Sequence, residues 1–156
     1  MNIRRAQTKD IPGVIRNLRQ VLEVHAALRP DLFISGTTKY TPEDLEKIFA
    51  NENTPVFVGV NDRDEVMGYA FCVMEDMPAN NNMPAMKTLY IDDICVDEHF
   101  RRQHVAQDLY RHVLDYAREQ GCYNVTLNVW EGNDYARAFY EKMGMGIRKT
   151  MMEQIL

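Results

Sequence analysis

The fold of this chain is decided between residues 96 and 109, where the sequence reads Val96-Asp-Glu-His-Phe-Arg-Arg-Gln-His-Val-Ala-Gln-Asp-Leu109. An apolar run precedes this stretch and an amphipathic run follows it, so we expect a strand that leads into a helix through a basic turn. A helix start presents backbone N–H groups without internal partners and a partial positive charge. Arg101 and Arg102 add two full charges at an end where cations are otherwise unfavourable. The turn therefore predicts a binding site for an anion such as phosphate.

The composition indicates a globular protein of ordinary type. A chain of 156 residues can bury a proper core, and we expect residues 1–156 to form a single domain. No apolar run approaches the length of a membrane helix, and residues 1–6 lack the apolar core of a signal peptide. We therefore expect a cytoplasmic protein that does not bind membranes. The net charge of −5 argues against nucleic acid as a partner and fits a cationic substrate.

The three cysteines do not predict a metal centre or a nucleophile. Cys72, Cys95 and Cys122 lie inside apolar segments and lack the spacing of metal ligands. None has a histidine neighbour in the sequence of the kind that activates a thiol. We interpret them as reduced, buried thiols, and we expect no bound metal.

Periodicity and turn signals predict an alternating series of strands and helices. Strands are expected where short apolar runs are bounded by polar turns, and helices where apolar residues recur every three or four positions. The predicted strands cover residues 2–6, 55–60, 65–74, 88–96, 123–130 and 147–156. The predicted helices begin at Thr8, Thr41, Gln103 and Asn133, each at a capping or polar residue. Residues 75–87, rich in Asn, Pro and Met, are expected to form a long connection.

This order of elements predicts an α+β fold built on one mixed sheet flanked by helices. The strand of residues 65–74 is apolar on both faces, so we expect it to be central in the sheet. The strand–helix–strand unit from Thr88 to Trp130 implies a parallel pair joined by a right-handed crossover. The remaining neighbours are expected to be antiparallel, and the sheet to be twisted.

Two motifs resemble those of the GCN5-related N-acetyltransferase family. The basic turn is similar to the family's pyrophosphate motif, Arg/Gln-x-x-Gly-x-Gly/Ala: Arg101 and Ala106 match it, while His104 stands where the family usually has glycine. The segment from Trp130 to Gly144, Trp-Glu-Gly-Asn-Asp-Tyr-Ala-Arg-Ala-Phe-Tyr-Glu-Lys-Met-Gly, resembles the family's second coenzyme-binding segment. The order of elements is also similar nearly end to end. The resemblance implies that the two central parallel strands splay apart and hold acyl-coenzyme A in the gap.

The resemblance implies acetyl-coenzyme A as cosubstrate and indicates which residues would bind it. Backbone amides of the basic turn and its arginines would hold the pyrophosphate, and backbone amides of the preceding strand would hold the pantetheine arm and polarise the thioester carbonyl. The implied coenzyme-binding residues are Ile94, Cys95, Val96, Arg101, Arg102, Gln103, His104, Val105, Ala106, Gln107, Asn133 and Tyr140.

Tyr140 is implied as the general acid of the reaction. Asn133 and Tyr140 are separated by two helical turns, so both project from the same side of the helix. Either residue alone would be a capping asparagine or a core tyrosine. In the family, however, the asparagine contacts the coenzyme and the tyrosine hydroxyl faces its sulfur. A phenol held there can protonate the departing thiolate, whose conjugate acid has a pKa near 8.5.

Asp92 and Asp93 interrupt an otherwise apolar strand. Adjacent strand residues point to opposite faces, so we expect one acid to face the cleft and the other to meet a second partner. A structural role is the alternative for each. An attacking amine must be neutral, which requires a base or a water relay. The polyamine branch of the family has a similar acid pair with its first acid as the proposed base, which implies Asp92. If Asp92 faces away, the base would be Asp93, Glu131 or bulk water.

The sequence thus predicts an N-acetyltransferase that moves an acetyl group to a primary amine by direct attack in a ternary complex. The acceptor, a small-molecule amine or a protein or peptide amine, is expected to bind beside two segments. One contains Glu23, His25, Arg29, Asp31 and Phe33, and the other is the connection 77–86. The alternative is a non-catalytic or regulatory coenzyme A-binding module, supported by His104 and by Asn128, which replaces the base of another family branch. Family habit also makes a homodimer possible.

Overall fold

The structure, a computed structural model, describes residues 1–156 as a five-stranded sheet with four α-helices. The strands are β1 (Asn2–Arg5), β2 (Val56–Val60), β3 (Val66–Met77), β4 (Met86–Val96) and β5 (Asn124–Leu127). The helices are α1 (Ile11–Leu28), α2 (Pro42–Ala50), α3 (Val105–Glu119) and α4 (Asp134–Lys142). None of the helices combines the length and the apolar character needed to cross a bilayer.

The sheet confirms the predicted mixed α+β architecture. Its strands lie in the order β1-β2-β3-β4-β5, and every neighbouring pair is antiparallel except β4 and β5. The parallel pair is connected by α3, as a crossover connection requires. One apolar cluster joins α1 and α2 to one face of the sheet, and a second joins α3 to the other face. The first seven residues of β3 are buried, which confirms that this strand is central.

A β-bulge in β4 positions the site described below. Phe71 of β3 pairs with Asp93, but the next residue, Cys72, pairs with Ile91, so Asp92 has no partner on β3. On the other side, the parallel pairing of β4 with β5 runs only as far as Ile91 and Leu127. Beyond that point β4 continues to Val96 without β5 beside it. The two parallel strands therefore separate at the bulge, as the family resemblance implied.

Several predicted boundaries differ from the structure because tertiary pairing overrides local signals. The strand expected to end at residue 74 continues to Met77, and the next begins at Met86, because these two segments pair along their whole length. Only residues 78–85 remain as a connection. The strand expected over 123–130 is reduced to β5, because β4 is its only neighbour and leaves it after Ile91.

Two predicted helix starts are wrong for local reasons. A short 3-10 turn, Thr8–Asp10, precedes α1, so Thr8 does not cap this helix. Asp10 closes that turn by accepting the Gln7 N–H at 2.8 Å. α3 begins at Val105 instead of residue 103, because the backbone at His104 lies in the left-handed region with φ of 61°. By contrast, Thr41 caps α2 as expected, in a capping box with Asp44.

The predicted last strand, residues 147–156, is wrong. This segment belongs to neither a strand nor a helix, and all of its residues are exposed. A strand forms only where a neighbour completes its hydrogen-bond ladder, and no strand of the sheet pairs with this segment. The apolar content of the segment indicates a preference for the strand conformation. It does not indicate whether a partner strand is present.

Asp97, directly after β4, ties the end of this strand to α1. Its carboxylate is 1% exposed and accepts hydrogen bonds from Arg16 Nε at 2.6 Å and from the His99 N–H at 3.0 Å. Burial opposes ionisation, but these hydrogen bonds outweigh it and lower the pKa of Asp97 to about 2. The ion pair therefore fixes α1 against the strand that carries the acid pair.

Candidate active site

A cavity of about 540 Å³ opens where β4 and β5 separate. Its walls come from α1, the loop between α1 and α2, β4, the segment that follows β5, and α4. Most lining side chains are apolar. The polar side chains on which the predictions depended are Asp92, Asp93, Asn133 and Tyr140, and all four line this cavity. No cluster of three His, Cys, Asp or Glu side chains is arranged to hold a metal ion.

Both acids of β4 line the cavity, so the expectation that they face opposite sides of the sheet is wrong. The strict alternation of strand side chains applies only to a regular ladder. The bulge inserts Asp92 as an extra residue between two paired positions, and a bulge re-aims the side chains around it. The result is a carboxylate pair at one end of an otherwise mainly apolar cavity.

Asp92 already holds an ammonium group. Lys39 Nζ lies 2.6 Å from Asp92 Oδ2, and the Tyr40 hydroxyl donates to the same oxygen at 3.3 Å. Burial opposes the charge on Lys39, but the hydrogen bond and charge of Asp92 outweigh it and raise the pKa of Lys39. The Asp92 carboxylate can therefore bind a protonated amine. Glu131, another candidate base, does not line the cavity.

Asp93 lies deeper and has a different partner. The hydroxyl of Tyr69, a side chain with no exposed surface, donates to Asp93 Oδ2 at 2.6 Å. Burial and the neighbouring charge of Asp92 raise the pKa of Asp93 to about 6, although the Tyr69 hydrogen bond opposes this shift. A carboxyl group with this pKa is close to the range in which a general base works best at neutral pH.

Tyr140 presents a free hydroxyl to the same cavity. Its ring packs against Phe139 and Tyr110, with centroid distances of 5.1 and 6.1 Å. The hydroxyl makes no hydrogen bond within the chain, and burial together with the charge of Asp93 raises the pKa of Tyr140 well above its ordinary value. The phenol is therefore fully protonated at neutral pH and available as a donor.

Asn133 combines two roles that the sequence could not separate. Its side-chain oxygen caps α4 by accepting the Ala136 N–H at 3.3 Å, while the residue also lines the cavity. Tyr140 stands two turns later on the same side of α4, as the spacing predicted. The cap fixes the start of α4, and this in turn fixes where Tyr140 enters the cavity.

The basic turn lies outside the cavity, at the start of α3. Arg101 and Arg102 are exposed and make no ion pair or hydrogen bond within the chain. Arg102 and His104 both have left-handed backbone conformations, with φ of 63° and 61°. This conformation explains why glycine suits the position of His104, since glycine adopts it without strain. No side chain caps α3, so its first amides stay available to an anion.

The last residues of β4 connect the cavity to the basic turn. Ile94 lines the cavity, and Cys95 and Val96 follow it on the part of β4 that has lost β5 as a neighbour. One edge of this backbone is therefore free to bind an extended ligand. Burial raises the pKa of Cys95 to about 12, so its thiol is protonated and a poor nucleophile.

The expected acceptor segments are only partly at the cavity. His25 and Phe33 line it and form an aromatic row with Trp130. The His25 and Phe33 rings are tilted with a centroid distance of 5.2 Å, and Phe33 meets Trp130 edge to face at 5.5 Å. Glu23 instead accepts hydrogen bonds from Ser35 and from the Gly36 N–H.

The remaining acceptor-side candidates lie elsewhere. Arg29 and Asp31 pair with each other at 2.6 Å and do not line the cavity. Residues 78–85 connect β3 to β4 and contribute no cavity residue, so the expectation for the 77–86 connection is wrong.

Sequence reasoning missed Lys39, Tyr40 and Tyr69. Lys39 and Tyr40 lie in a loop 53 and 52 residues before Asp92, and no motif marks them. Tyr69 could have been found, because a tyrosine in a strand buried on both faces requires a partner for its hydroxyl. An acid in the neighbouring strand was the obvious candidate.

Comparison with known proteins gives consistent results. Residues 21–145 match the model of a family described as the acetyltransferase (GNAT) family. N-acetyltransferase 8 of Homo sapiens is 31% identical over 101 residues, which cover 65% of this chain and 43% of that protein. The peptidyl-lysine N-acetyltransferase YjaB of Escherichia coli (strain K12) is 29% identical over 115 residues, 74% of this chain and 65% of that protein. The chain thus spans less than two thirds of the length of these curated relatives.

A solved structure matches more completely. A mutant of the BH1408 protein from Bacillus halodurans has a TM-score of 0.95 and 31% sequence identity. The match covers 100% of this chain and 99% of that chain. The similarity therefore includes the segments that precede and follow the family match.

Proposed function

The chain belongs to the acetyltransferase (GNAT) family, and we propose that it moves the acetyl group of acetyl-coenzyme A to a primary amine of a small molecule or peptide. The observation that carries this proposal is the cavity between the separated strands. It combines a carboxylate pair, of which Asp92 already binds an ammonium, with the unpaired phenol of Tyr140. A binding module would require neither group.

The chain offers matching groups for each part of the coenzyme. The pyrophosphate would be held by Arg101, Arg102 and the uncapped amides from His104 to Gln107. The pantetheine arm would bind the free backbone edge from Ile94 to Val96. Asn133 is available through its Nδ2 group, which makes no hydrogen bond within the chain.

The protonation states of the groups present support direct transfer. The amine nitrogen attacks the thioester carbonyl and gives up a proton, and the carbon–sulfur bond breaks as Tyr140 protonates the departing sulfur. Cys95 does not serve as an acyl carrier, because its thiol is protonated at neutral pH. Acetyl transfer thus occurs in a ternary complex.

We assign the base to Asp92, because its carboxylate already contacts an amine in the cavity. Asp93 is the second candidate, favoured by its pKa of about 6. A base works only in its deprotonated form, so if Asp93 is the base, kcat/KM falls as the pH drops through about 6. In that case Asp93→Asn removes the acidic limb of the profile. If Asp92 is the base, Asp92→Asn removes it instead.

The decisive experiment measures free thiol released from acetyl-coenzyme A with a panel of amines. The panel contains a polyamine, an aminoglycoside, a lysine peptide and a peptide with a free N-terminus. We expect at least one amine to be turned over, and Asp92→Asn to lower kcat by about 10²–10⁴. Asp115→Asn, an exposed carboxylate on α3, is the matched control and should have no effect. Coenzyme binding without turnover of any amine would instead indicate a non-catalytic module.

A further inference from the structure

The charged side chains that line the cavity can balance only one further positive charge. Asp92 and Asp93 supply two carboxylates, and Lys39 supplies one ammonium. Burial and the charge of Lys39 lower the pKa of His25, so its imidazole adds no charge at neutral pH. Whichever carboxylate receives an incoming ammonium, two carboxylates then face two ammonium groups. A second positive charge on the same ligand would find no further acid in the lining.

Several polar side chains of the lining already have partners within the chain. The hydroxyls of Thr37 and Thr38 donate to backbone carbonyl groups of their own loop at 2.7 and 3.0 Å. The side-chain amide of Asn128 donates to the Tyr90 hydroxyl at 3.0 Å. A ligand hydroxyl that is buried without a hydrogen-bond partner costs free energy. The cavity is therefore poorly suited to an acceptor with many hydroxyl groups.

The acceptor side of the cavity has an apolar and partly exposed wall. Leu32, Ile34 and Trp130 line the cavity and are exposed to 52%, 75% and 39%. His25 and Phe33 lie beside Trp130 and complete the aromatic row. An apolar ligand that covers such side chains gains free energy by removing them from water, and an aromatic ligand also pairs well with other rings. The wall therefore favours a ligand with an aromatic body.

We propose that the acceptor is an aromatic monoamine, a primary amine with a single positive charge, an aromatic body and few or no hydroxyl groups. This inference rests on the proposed function and narrows its acceptor. The ammonium binds the carboxylate pair, and the ring packs against the aromatic row. The amine nitrogen then takes the acetyl group, and coenzyme A leaves as the free thiol. Lys39 determines specificity by setting the charge balance of the cavity.

The first test compares matched amines by the free thiol released from acetyl-coenzyme A. Hexylamine and hexamethylenediamine have the same carbon chain and differ by one charge, and we expect kcat/KM to favour the monoamine by about tenfold or more. Phenylethylamine and ethanolamine differ by a ring in place of a hydroxyl, and we expect the aromatic amine to be favoured by about 100-fold or more. An equal or reversed preference in either pair overturns the proposal.

A second test assigns the charge balance to Lys39. Lys39→Met removes the ammonium but keeps a long side chain, so kcat/KM for hexamethylenediamine should come within about threefold of that for hexylamine. Lys39→Arg keeps the charge and should keep the preference. Lys47→Met is the matched control, because this lysine of α2 is exposed and does not line the cavity. A preference that persists in Lys39→Met overturns the charge argument and the proposal with it.

Binding measured without the acetyl group distinguishes this inference from the proposed function. With coenzyme A in place of acetyl-coenzyme A, calorimetry reports amine binding while no transfer can occur. The same preferences among dissociation constants, without turnover of any amine, would support the acceptor class and overturn acetyl transfer. Turnover of a diamine, an aminoglycoside or a lysine peptide in preference to phenylethylamine would overturn the acceptor class and support acetyl transfer. Binding of none of these amines would overturn the acceptor class.

Discussion

At the scale of single residues, Tyr140 differs from the other tyrosines around the cavity because its hydroxyl is unpaired. The hydroxyls of Tyr40 and Tyr69 donate to the acid pair, and that of Tyr90 accepts from Asn128. These three hydroxyl groups therefore have structural partners within the chain. The Tyr140 hydroxyl has none and is available to a ligand in the cavity.

We expect Tyr140→Phe to lower kcat by about 10²–10⁴ while leaving coenzyme A affinity within about threefold. The substitution removes only a hydroxyl, so the fold should persist. Tyr90→Phe is the matched control, because it removes a hydroxyl from the same cavity that is already bound to Asn128. Steady-state kinetics and calorimetry measure the two quantities. Turnover of the Tyr140 variant close to that of the wild type would exclude the phenol as the acid.

At His104 we expect the backbone conformation to matter more than the imidazole ring. Its left-handed backbone aims the start of α3, and the ring is exposed. We expect His104→Gly to leave coenzyme A affinity within about threefold or to improve it, because glycine keeps the conformation without strain. His104→Ala should change stability by less than about 0.5 kcal/mol, because alanine and histidine both carry a Cβ atom and both disfavour the left-handed region.

Calorimetric titration of these two variants separates the backbone from the imidazole. A loss of more than about tenfold in affinity for His104→Gly, or 1.4 kcal/mol, would mean that the ring itself contacts the coenzyme. In that case the correspondence with the family's glycine would not apply to this chain.

At the scale of elements, the start of α3 combines two features that suit an anion. The uncapped amides supply hydrogen bonds, and Arg101 and Arg102 supply charge that no acid in the chain neutralises. The Arg101→Ala/Arg102→Ala double variant should weaken coenzyme A binding by about 2–4 kcal/mol. Dephospho-coenzyme A should lose as much, because it retains the pyrophosphate.

The matched control for this double variant is Arg111→Ala/Arg118→Ala. It removes the same charge from α3 but leaves the start of the helix intact. Calorimetry should show affinity close to that of the wild type for the control. Equal losses in the two double variants would point to the general charge of the protein and not to a pyrophosphate site.

At the scale of the whole molecule, the Asp97–Arg16 pair joins the helix layer to the strand that carries the acids. Asp97→Ala should lower the free energy of unfolding by about 1–3 kcal/mol, because the hydrogen bonds that the buried carboxylate accepts from Arg16 and from the His99 N–H are lost. Asp115→Ala, which breaks an exposed pair with Arg118, should change it by less than about 0.5 kcal/mol.

The pH dependence of stability provides an independent check on Asp97. The folded pKa of about 2 lies below the unfolded value, which is near 3.9. The stabilisation is therefore complete above the unfolded value and is lost as the pH falls toward the folded one. Thermal melts from neutral pH to pH 2 should show a weaker acid dependence in Asp97→Ala. An unchanged acid dependence would mean that other carboxylates account for it.

The sequence by itself determined the family, the order of elements as far as α4, and the two motifs that resemble the family's coenzyme-binding segments, because these depend on local periodicity, caps and short spacings. The basic turn before α3 and the seven-residue spacing of Asn133 and Tyr140 are properties of neighbours along the chain. The tertiary structure alone decided how Asp92 and Asp93 are presented, because the bulge arises from the pairing of β4 with β3.

The same distinction explains Lys39 and the segment of residues 147–156. Lys39 contacts Asp92 from a loop that is distant in the sequence, so no local sequence pattern predicts the contact. Residues 147–156 have the apolar content of a strand, but whether a strand forms depends on a neighbouring strand, and none pairs with this segment. Local chemistry fixes which structure a segment favours, whereas partners distant in sequence fix what that segment finally contacts.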